Sequence, residues 1–329
     1  MPEETFRVTH PESPMPPRPP RRRWRRFALG LALLAGLFAG LAAWRDRAAA
    51  DGLEHGTLNF GGAARSYYLY RPARLPAGTP APAVIVLHGG LGNGERVAKQ
   101  SRITDYADRL GFVAVLPEAA GTQWNDGRET TAGNADDVGF ISALIDSLVK
   151  KGTVDPARVF AIGVSNGGMM AQRLACDTGR LAAVAAIVAN MPSALMRRCS
   201  PARPVPIVFF LSTADPIMPF NGGDVTTFAG RGAGGAVASA GQTVDFWARA
   251  NQCGPERSSR LPDRVDDGTH VVQHDFSQCR AGAEVRFFEV IGGGHNWPGL
   301  GRSTPFTGTA TQDVDGTQAS LDFFRAHGL

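Results

Sequence analysis

Ser165 stands in Gly163-Val164-Ser165-Asn166-Gly167, between the apolar run Val159-Phe160-Ala161-Ile162 and the stretch Gly168-Met169-Met170-Ala171-Gln172-Arg173-Leu174-Ala175. A serine hydroxyl is a weak nucleophile at neutral pH until an adjacent base takes its proton. A G-x-S-x-G turn from strand to helix lifts that hydroxyl above a sheet, where a base can reach it. Gly163 and Gly167 suit a reversal too tight for side chains, and Gly168 lets the new helix approach the sheet. The bland alternative is a glycine-rich helix start with Ser165 as an ordinary N-cap. The strand-like run before it and the helix-like run after it favour the nucleophile.

Such a serine needs a base and a carboxylate to orient that base, and on this kind of turn they come later in the order serine, acid, histidine. The buried-strand pattern Val205-Pro206-Ile207-Val208-Phe209-Phe210-Leu211-Ser212 runs directly into Thr213-Ala214-Asp215-Pro216, which makes Asp215 the expected acid. A second run, Val285-Arg286-Phe287-Phe288-Glu289-Val290-Ile291, ends in Gly292-Gly293-Gly294-His295-Asn296-Trp297-Pro298 and supplies His295 as the base. Asp-Pro after a strand is also a good turn starter, but Asp224, Asp263, Asp266 and Asp267 lie in polar, loop-like surroundings away from a clear strand end. Acyl transfer further requires donors aimed at a tetrahedral oxyanion. The strand Ala83-Val84-Ile85-Val86-Leu87 leads into His88-Gly89-Gly90-Leu91-Gly92-Asn93-Gly94, which assigns one donor to the amide of Gly90, with Leu91 as its alternative. The other is the amide of Asn166. His88 reads as a structural residue holding that loop. A phosphate-binding loop is excluded by the lack of a Lys-Ser/Thr ending or a G-x-G-x-x-G pattern.

The elements that must carry these residues alternate along the chain. Leu58–Phe60 and Arg65–Tyr70 read as an opening strand pair, followed by Val84–Leu87, a helix near Ala98–Leu110 and a strand at Phe112–Leu116. A helix over Ala135–Lys150 has Val138, Ile141, Leu144, Ile145 and Leu148 at helical spacing. Beyond the serine turn come strand candidates Leu181–Ala189 and Val205–Ser212, a helix around Ser239–Asn251, the strand Val285–Ile291 and a terminal helix from Asp315 to His327. Continuous rather than alternating apolar runs predict an α/β fold with a mostly parallel central sheet covered by helices on both faces. The chemical residues fall at carboxyl ends of strands, where open sheets bind ligands. Three connections remain: 121–133, where Trp124 is a candidate pocket wall or loop anchor; Phe228–Gly241, a candidate partial lid; and Pro298–Gly316. Trp297 is expected to brace the histidine loop or border the cleft.

Asp136-Asp137-Val138-Gly139-Phe140-Ile141, Val154-Asp155-Pro156-Ala157-Arg158-Val159, the serine motif extended to Met170, Thr213 to Gly223, and Gly292 to Gly299 occur in one order. Together they resemble the polyhydroxybutyrate depolymerase family, and more narrowly its LpqC-like branch of secreted esterases, related to feruloyl and acetylxylan esterases. The likeness runs from about Leu58 to Leu329. It implies the α/β-hydrolase fold, Ser165, Asp215 and His295 as a triad, and an extracellular hydrolase of carboxylic esters that requires no cofactor and no metal. Polymer-degrading relatives carry a separate binding module, which the stretch after Trp297 is too short to hold, so attack on solid polymer is not expected. A serine peptidase or amidase could use the same triad, and a noncatalytic binding protein could use the same fold.

Residues 1–50 form a basic N-terminal region and 51–329 a single catalytic domain of a size that one core can fill. Arg18, Arg21, Arg22, Arg23, Arg25 and Arg26 precede an apolar set from Phe27 to Trp44. As a helix, 27–44 would span roughly 27 Å, enough for a hydrocarbon core, and the preceding positive charge would keep that side cytoplasmic. A signal anchor and a cleaved signal peptide, with small residues at Ala48-Ala49-Ala50, are both compatible with export of the catalytic domain. The four cysteines, Cys176, Cys199, Cys253 and Cys279, show neither C-x-x-C nor zinc-ligand spacing; the pairs 176–199 and 253–279 each close a modest loop. The net charge is +4, but nine arginines against four acids lie in the first 50 residues, so the remainder is near neutral. With no basic patch interleaved with aromatics, a nucleic-acid partner is excluded.

Overall fold

The computed structural model describes residues 52–131, 133, 135–227 and 234–329; the predicted segment 27–44 lies outside them. Two strands open the fold, β1 (Glu54–Phe60) and β2 (Ala63–Tyr70), paired antiparallel. β3 (Ala81–Leu87), β4 (Val113–Pro117), β5 (Val154–Val164), β6 (Ala183–Ile187), β7 (Ile207–Ser212) and β12 (Val285–Ile291) form the parallel centre. The short β8 (Gly223–Asp224) and β9 (Ala236–Val237) pair separately, while β10 (Glu256–Arg260) and β11 (His270–Phe276) extend the main sheet. Its order is β1-β2-β4-β3-β5-β6-β7-β12-β11-β10. The mixed edges are antiparallel and the centre is parallel, as the α/β reading requires.

Every residue of β3, β4, β6 and β7 is buried, which explains their unbroken apolar runs: a parallel strand covered on both faces has no solvent side to mark with polar residues. Alternate residues feed two cores. Ile85, Leu87, Val115, Ala161, Phe209 and Leu211 face one side, with Phe140, Ile141 and Leu144 of α3 (Asp137–Lys150), Met170 and Leu174 of α4 (Asn166–Asp177) and Trp247 of α6 (Ala240–Ala250). Val84, Val86, Leu116, Phe160, Ile162 and Phe210 face the other. There they meet Val97 of α1 (Gly94–Ser101), Ile103 and Tyr106 of α2 (Ile103–Leu110), and Leu321 and Phe324 of α7 (Gly316–Ala326).

The predicted helix Ala98–Leu110 is two helices. Arg102 adopts φ 52°, and the carbonyl of Ser101 accepts the Thr317 hydroxyl at 2.8 Å, so tertiary packing takes up a group that the helix would otherwise use. Four strands, the two-residue β8 and β9 among them, and one helix escaped prediction. β10, Glu-Arg-Ser-Ser-Arg, is exposed throughout and has no apolar alternation; it is an edge strand guarded by polar side chains. β11 is only partly buried beside it, and α5 (Ser193–Arg198) has a single buried residue, Leu195. Both expected disulfides form: Cys176 at the end of α4 joins Cys199 after α5, and Cys253 after α6 joins Cys279.

Because β3, β5, β7 and β12 are parallel, their carboxyl ends lie along one edge of the sheet. Leu87 is in register with Gly163, and Ser212 with Val290. The loops beginning at His88, Ser165, Thr213 and Gly292 therefore emerge together. No helix among the described residues is long and apolar enough to cross a membrane.

Candidate active site

Ser165 sits between β5 and α4 with φ 55° and ψ −124°, a positive φ that a residue with a Cβ adopts only when its surroundings force it. What forces it is crowding. A Cβ at Gly163 would overlap the carbonyl of Gly167, and one at Gly167 would overlap the carbonyls of Leu87 and His88. The turn is pinned by Ser165 N donating to Ile187 O at 2.8 Å and by Met169 N donating to Ser165 O at 3.0 Å. Strain held in this way is characteristic of functional positions.

Asp215 and His295 meet although 80 residues separate them. His295 Nδ1 lies 2.7 Å from Asp215 Oδ2, and the carboxylate is 1% exposed. Asp215 Oδ1 accepts the amides of Ile217 and Met218, both at 2.8 Å, so the carboxylate is fixed before it meets the ring. A carboxylate at Nδ1 selects the tautomer with its proton there and leaves Nε2 as the basic nitrogen. The loops bearing the pair are bound to each other by Ala214 N to Gly293 O and Gly292 N to Thr213 Oγ1. The long connection after Pro298 clasps the histidine: His295 N donates to Thr307 O at 2.6 Å, Gly294 N to Thr309 O at 2.7 Å, and Asn296 Nδ2 reaches the carbonyls of Thr307 and Gly308. β5 and β7 are separated by one strand, a span of about 10 Å at the usual strand spacing, which a loop and an imidazole can cross. Among the weaker acids, Asp267 is occupied by the Thr269 and Gln312 amides.

The loop after β3 lies against the serine. A Cβ on Gly89 would stand 3.5 Å from Ser165 Cβ. Leu91 N donates to Thr122 O at 2.7 Å and is thereby used, whereas the amides of Gly90 and Asn166 have no hydrogen-bond acceptor among the described residues. Of the two amides left open by the sequence, Gly90 is the free donor. His88 is buried; its Nδ1 is 2.8 Å from Gly89 O, and Ala119 N donates to Nε2, which is the pattern of a neutral ring bracing a loop. Burial holds its pKa below the ordinary value and, on the same loop's flank, pushes the Glu118 carboxyl up.

Trp124 and Trp297 are both fully buried. Trp124 donates Nε1–H to His88 O at 2.9 Å, and Trp297 donates Nε1–H to Thr317 Oγ1 at 2.9 Å. A side chain with no accessible surface cannot form the wall of an open cleft, so both are braces, one under the loop after β3 and one beneath the histidine loop. Of the two readings of Trp124, pocket wall and loop anchor, the buried indole fits the second, because its N–H finds the His88 carbonyl in the interior. Of the candidate lid, 228–233 lie outside the described residues, and the remainder turns through β9 into α6.

Sequence reading missed the groups behind the serine. The Asn166 side chain accepts Trp124 N at 2.7 Å and donates to Asp126 Oδ2, and buried Asp126 pairs with Arg128 at 2.7 Å. A lone Asp-Gly-Arg in a polar loop carries no periodic or motif signal by which it could have been found. Among the described residues no group of histidine, cysteine and acidic side chains could hold a metal.

Comparison with known proteins gives the family. Residues 65–237 match the family model described as Esterase PHB depolymerase. The chain is 32% identical over 248 residues to a putative esterase NocK of Nocardia uniformis subsp. tsuyamanensis, covering 72% of each chain. It is 29% identical over 233 residues to feruloyl esterase B of Piromyces equi, covering 68% of this chain but 41% of that protein. Among solved structures, an acetyl xylan esterase from Aspergillus awamori superposes with a TM-score of 0.57 at 15% identity, over 83% of this chain and 99% of that one, a likeness of fold. Matched over more than half its length by the family model, the chain belongs to the esterase PHB depolymerase family of α/β-hydrolases.

Proposed function

We propose that this carboxylesterase works through an acyl-enzyme on Ser165, with His295 as base and then acid, and Asp215 holding the ring. The observation that carries the reading is the His295 Nδ1 to Asp215 contact of 2.7 Å at the sheet edge from which the strained Ser165 also emerges. His295 Nε2 takes the serine proton as Oγ adds to the ester carbonyl. The amides of Gly90 and Asn166 receive the oxyanion, and the imidazolium returns its proton to the departing alcohol. Water then attacks the acyl-serine by the same steps, its proton passing through His295, and releases the acid.

The substrate class we favour is that of the relatives: feruloyl or acetyl esters of sugars, hydroxybutyrate oligomers, and other short-chain esters. Two disulfides support a working place in an oxidising compartment outside the cytoplasm, with 27–44 as signal or anchor. The deciding experiment is a hydrolysis screen of short p-nitrophenyl esters, methyl ferulate, acetylated xylan and hydroxybutyrate oligomers, run beside matched anilides, with wild type and Ser165→Ala. Ester turnover lost in the variant at unchanged melting temperature supports the reading. Preferential anilide cleavage would make the protein an amidase, and no reaction of wild type with a fluorophosphonate probe would make it a noncatalytic binder.

A further inference from the structure

We propose that Arg128 is a positioning residue that fixes both backbone donors of the oxyanion site through one guanidinium. The inference rests on the esterase reading and concerns what keeps its donors aimed. The loop after β4 turns back at Gly127, whose φ is 95°, and this lets Arg128 fold onto Asp126 two residues earlier. Arg128 Nε lies 3.1 and 2.9 Å from the two Asp126 oxygens, Nη2 lies 2.7 Å from Oδ2, and the Arg128 amide adds a bond of 3.0 Å to Oδ1. Asp126 and Arg128 are 0% and 3% exposed.

From this pair two arms reach the site. The first is Asp126 Oδ2, which accepts from Asn166 Nδ2; Asn166 Oδ1 takes Trp124 N at 2.7 Å, and Nδ2 also reaches Trp124 O at 3.1 Å. With its side chain held on three sides, the residue after the nucleophile cannot rotate its peptide away from the serine. The second arm is Arg128 Nη2 to Gln123 Oε1 at 3.0 Å, and Gln123 lies over the other donor: a Cβ on Gly90 would stand 3.5 Å from Gln123 Cγ. The neighbouring Leu91 N to Thr122 O bond ties the same two loops. Arg128 Nη1 also donates to Gly234 O, which the Thr130 hydroxyl shares at 3.0 Å.

The physical case for positioning is that a buried ion pair is a poor stabiliser, since desolvating two charges cancels much of their attraction, whereas its fixed fork supplies direction. Lysine offers a point charge on a flexible stem and cannot hold Asp126, Gln123 and Gly234 at once. An oxyanion donor displaced by a fraction of an ångström loses its advantage in the transition state while barely affecting ester binding.

The test compares wild type with Arg128→Lys, with the charge-neutral pair Asp126→Asn/Arg128→Met, and with Gln123→Ala, whose half-buried side chain puts folding at little risk. Each is measured for kcat and KM on p-nitrophenyl acetate, for inhibition by an aryl trifluoromethyl ketone, which adds to Ser165 and places an oxyanion in the site, and for melting temperature. The expected result is a parallel fall in kcat and in ketone affinity of at least tenfold for the Arg128 variants, and a smaller parallel fall for Gln123→Ala, with KM within about twofold. Folded variants that keep kcat and ketone affinity overturn the proposal, as does a rise in KM equal to the loss of kcat/KM. Retained turnover in Ser165→Ala would instead sink the esterase reading, so the two failures are distinct.

Discussion

Replacing Asp215 by asparagine isolates what the carboxylate does for His295. Asparagine keeps the size of the side chain, and its carbonyl oxygen can still accept the Ile217 and Met218 amides that Asp215 Oδ1 now holds. That leaves an NH₂ group where Oδ2 stood, 2.7 Å from His295 Nδ1. Two donors cannot face each other, so the ring keeps its lone pair at Nδ1 and carries its proton on Nε2, the nitrogen that has to accept from Ser165. The transition state loses both its base and the negative charge that stabilises the imidazolium. The expected loss in kcat is about 10³ to 10⁴-fold, roughly 4 to 5.5 kcal/mol of activation free energy. Because the two amide bonds survive, the melting temperature should move little. Steady-state hydrolysis of p-nitrophenyl acetate, with thermal unfolding on the same preparations, measures both quantities. A folded Asp215→Asn within tenfold of wild type would refute the tautomer argument and return the search for the acid to the rest of the chain.

Other perturbations have equally definite outcomes. The loops closed by the disulfides span 23 and 26 residues, for which chain entropy gives about 3.5 kcal/mol each; Cys176→Ser/Cys199→Ser should lower the melting temperature by roughly 7 to 14 °C, and an unchanged melt would mean that the bridge leaves the unfolded chain unconstrained. Gly163→Ala drives a methyl group into the Gly167 carbonyl; a cost of about 1 to 3 kcal/mol with loss of turnover is expected, and normal activity would show that the turn can relax. His88 is held neutral by burial, with its pKa below the ordinary 6.5. The unfolded chain therefore takes up a proton that the fold refuses, and its contribution to stability, complete above about pH 6.5, declines as pH falls from there toward the depressed value, at up to about 1.4 kcal/mol per pH unit. Urea unfolding at pH 7.5 and 5.5 should show that decline in wild type and a shallower one in His88→Asn, and equal slopes would discard the assignment.

How much of this could be read in advance depends on how local the cause is. Strands β3, β4, β6 and β7 were legible because burial on both faces demands unbroken apolar runs, and α3 because its core face repeats at helical spacing. The placement of Ser165, Asp215 and His295 was legible for a related reason: each lies within a few residues of the end of a strand, and a parallel sheet brings all its carboxyl ends to one edge. The Ser239 cap of α6, reciprocated by Gln242, is likewise a local signal. Edge strand β10 was not legible, since an exposed strand has no hydrophobic period, and neither was the break at Arg102, because the group that takes the Ser101 carbonyl, Thr317, lies more than two hundred residues away.

The chain's own order of residues determined the fold class, the chemistry and the three residues proposed to perform it, because each is announced by neighbours within a few positions. Only the tertiary structure decided the surroundings: that Trp124 and Trp297 are braces, that Gly90 rather than Leu91 has a free amide, and that Asp126 holds Asn166 while Arg128 holds Gln123 beside Gly90. Those facts depend on which distant carbonyl or amide a polar group finds once the sheet has brought its loops together, and a buried polar group has to find one.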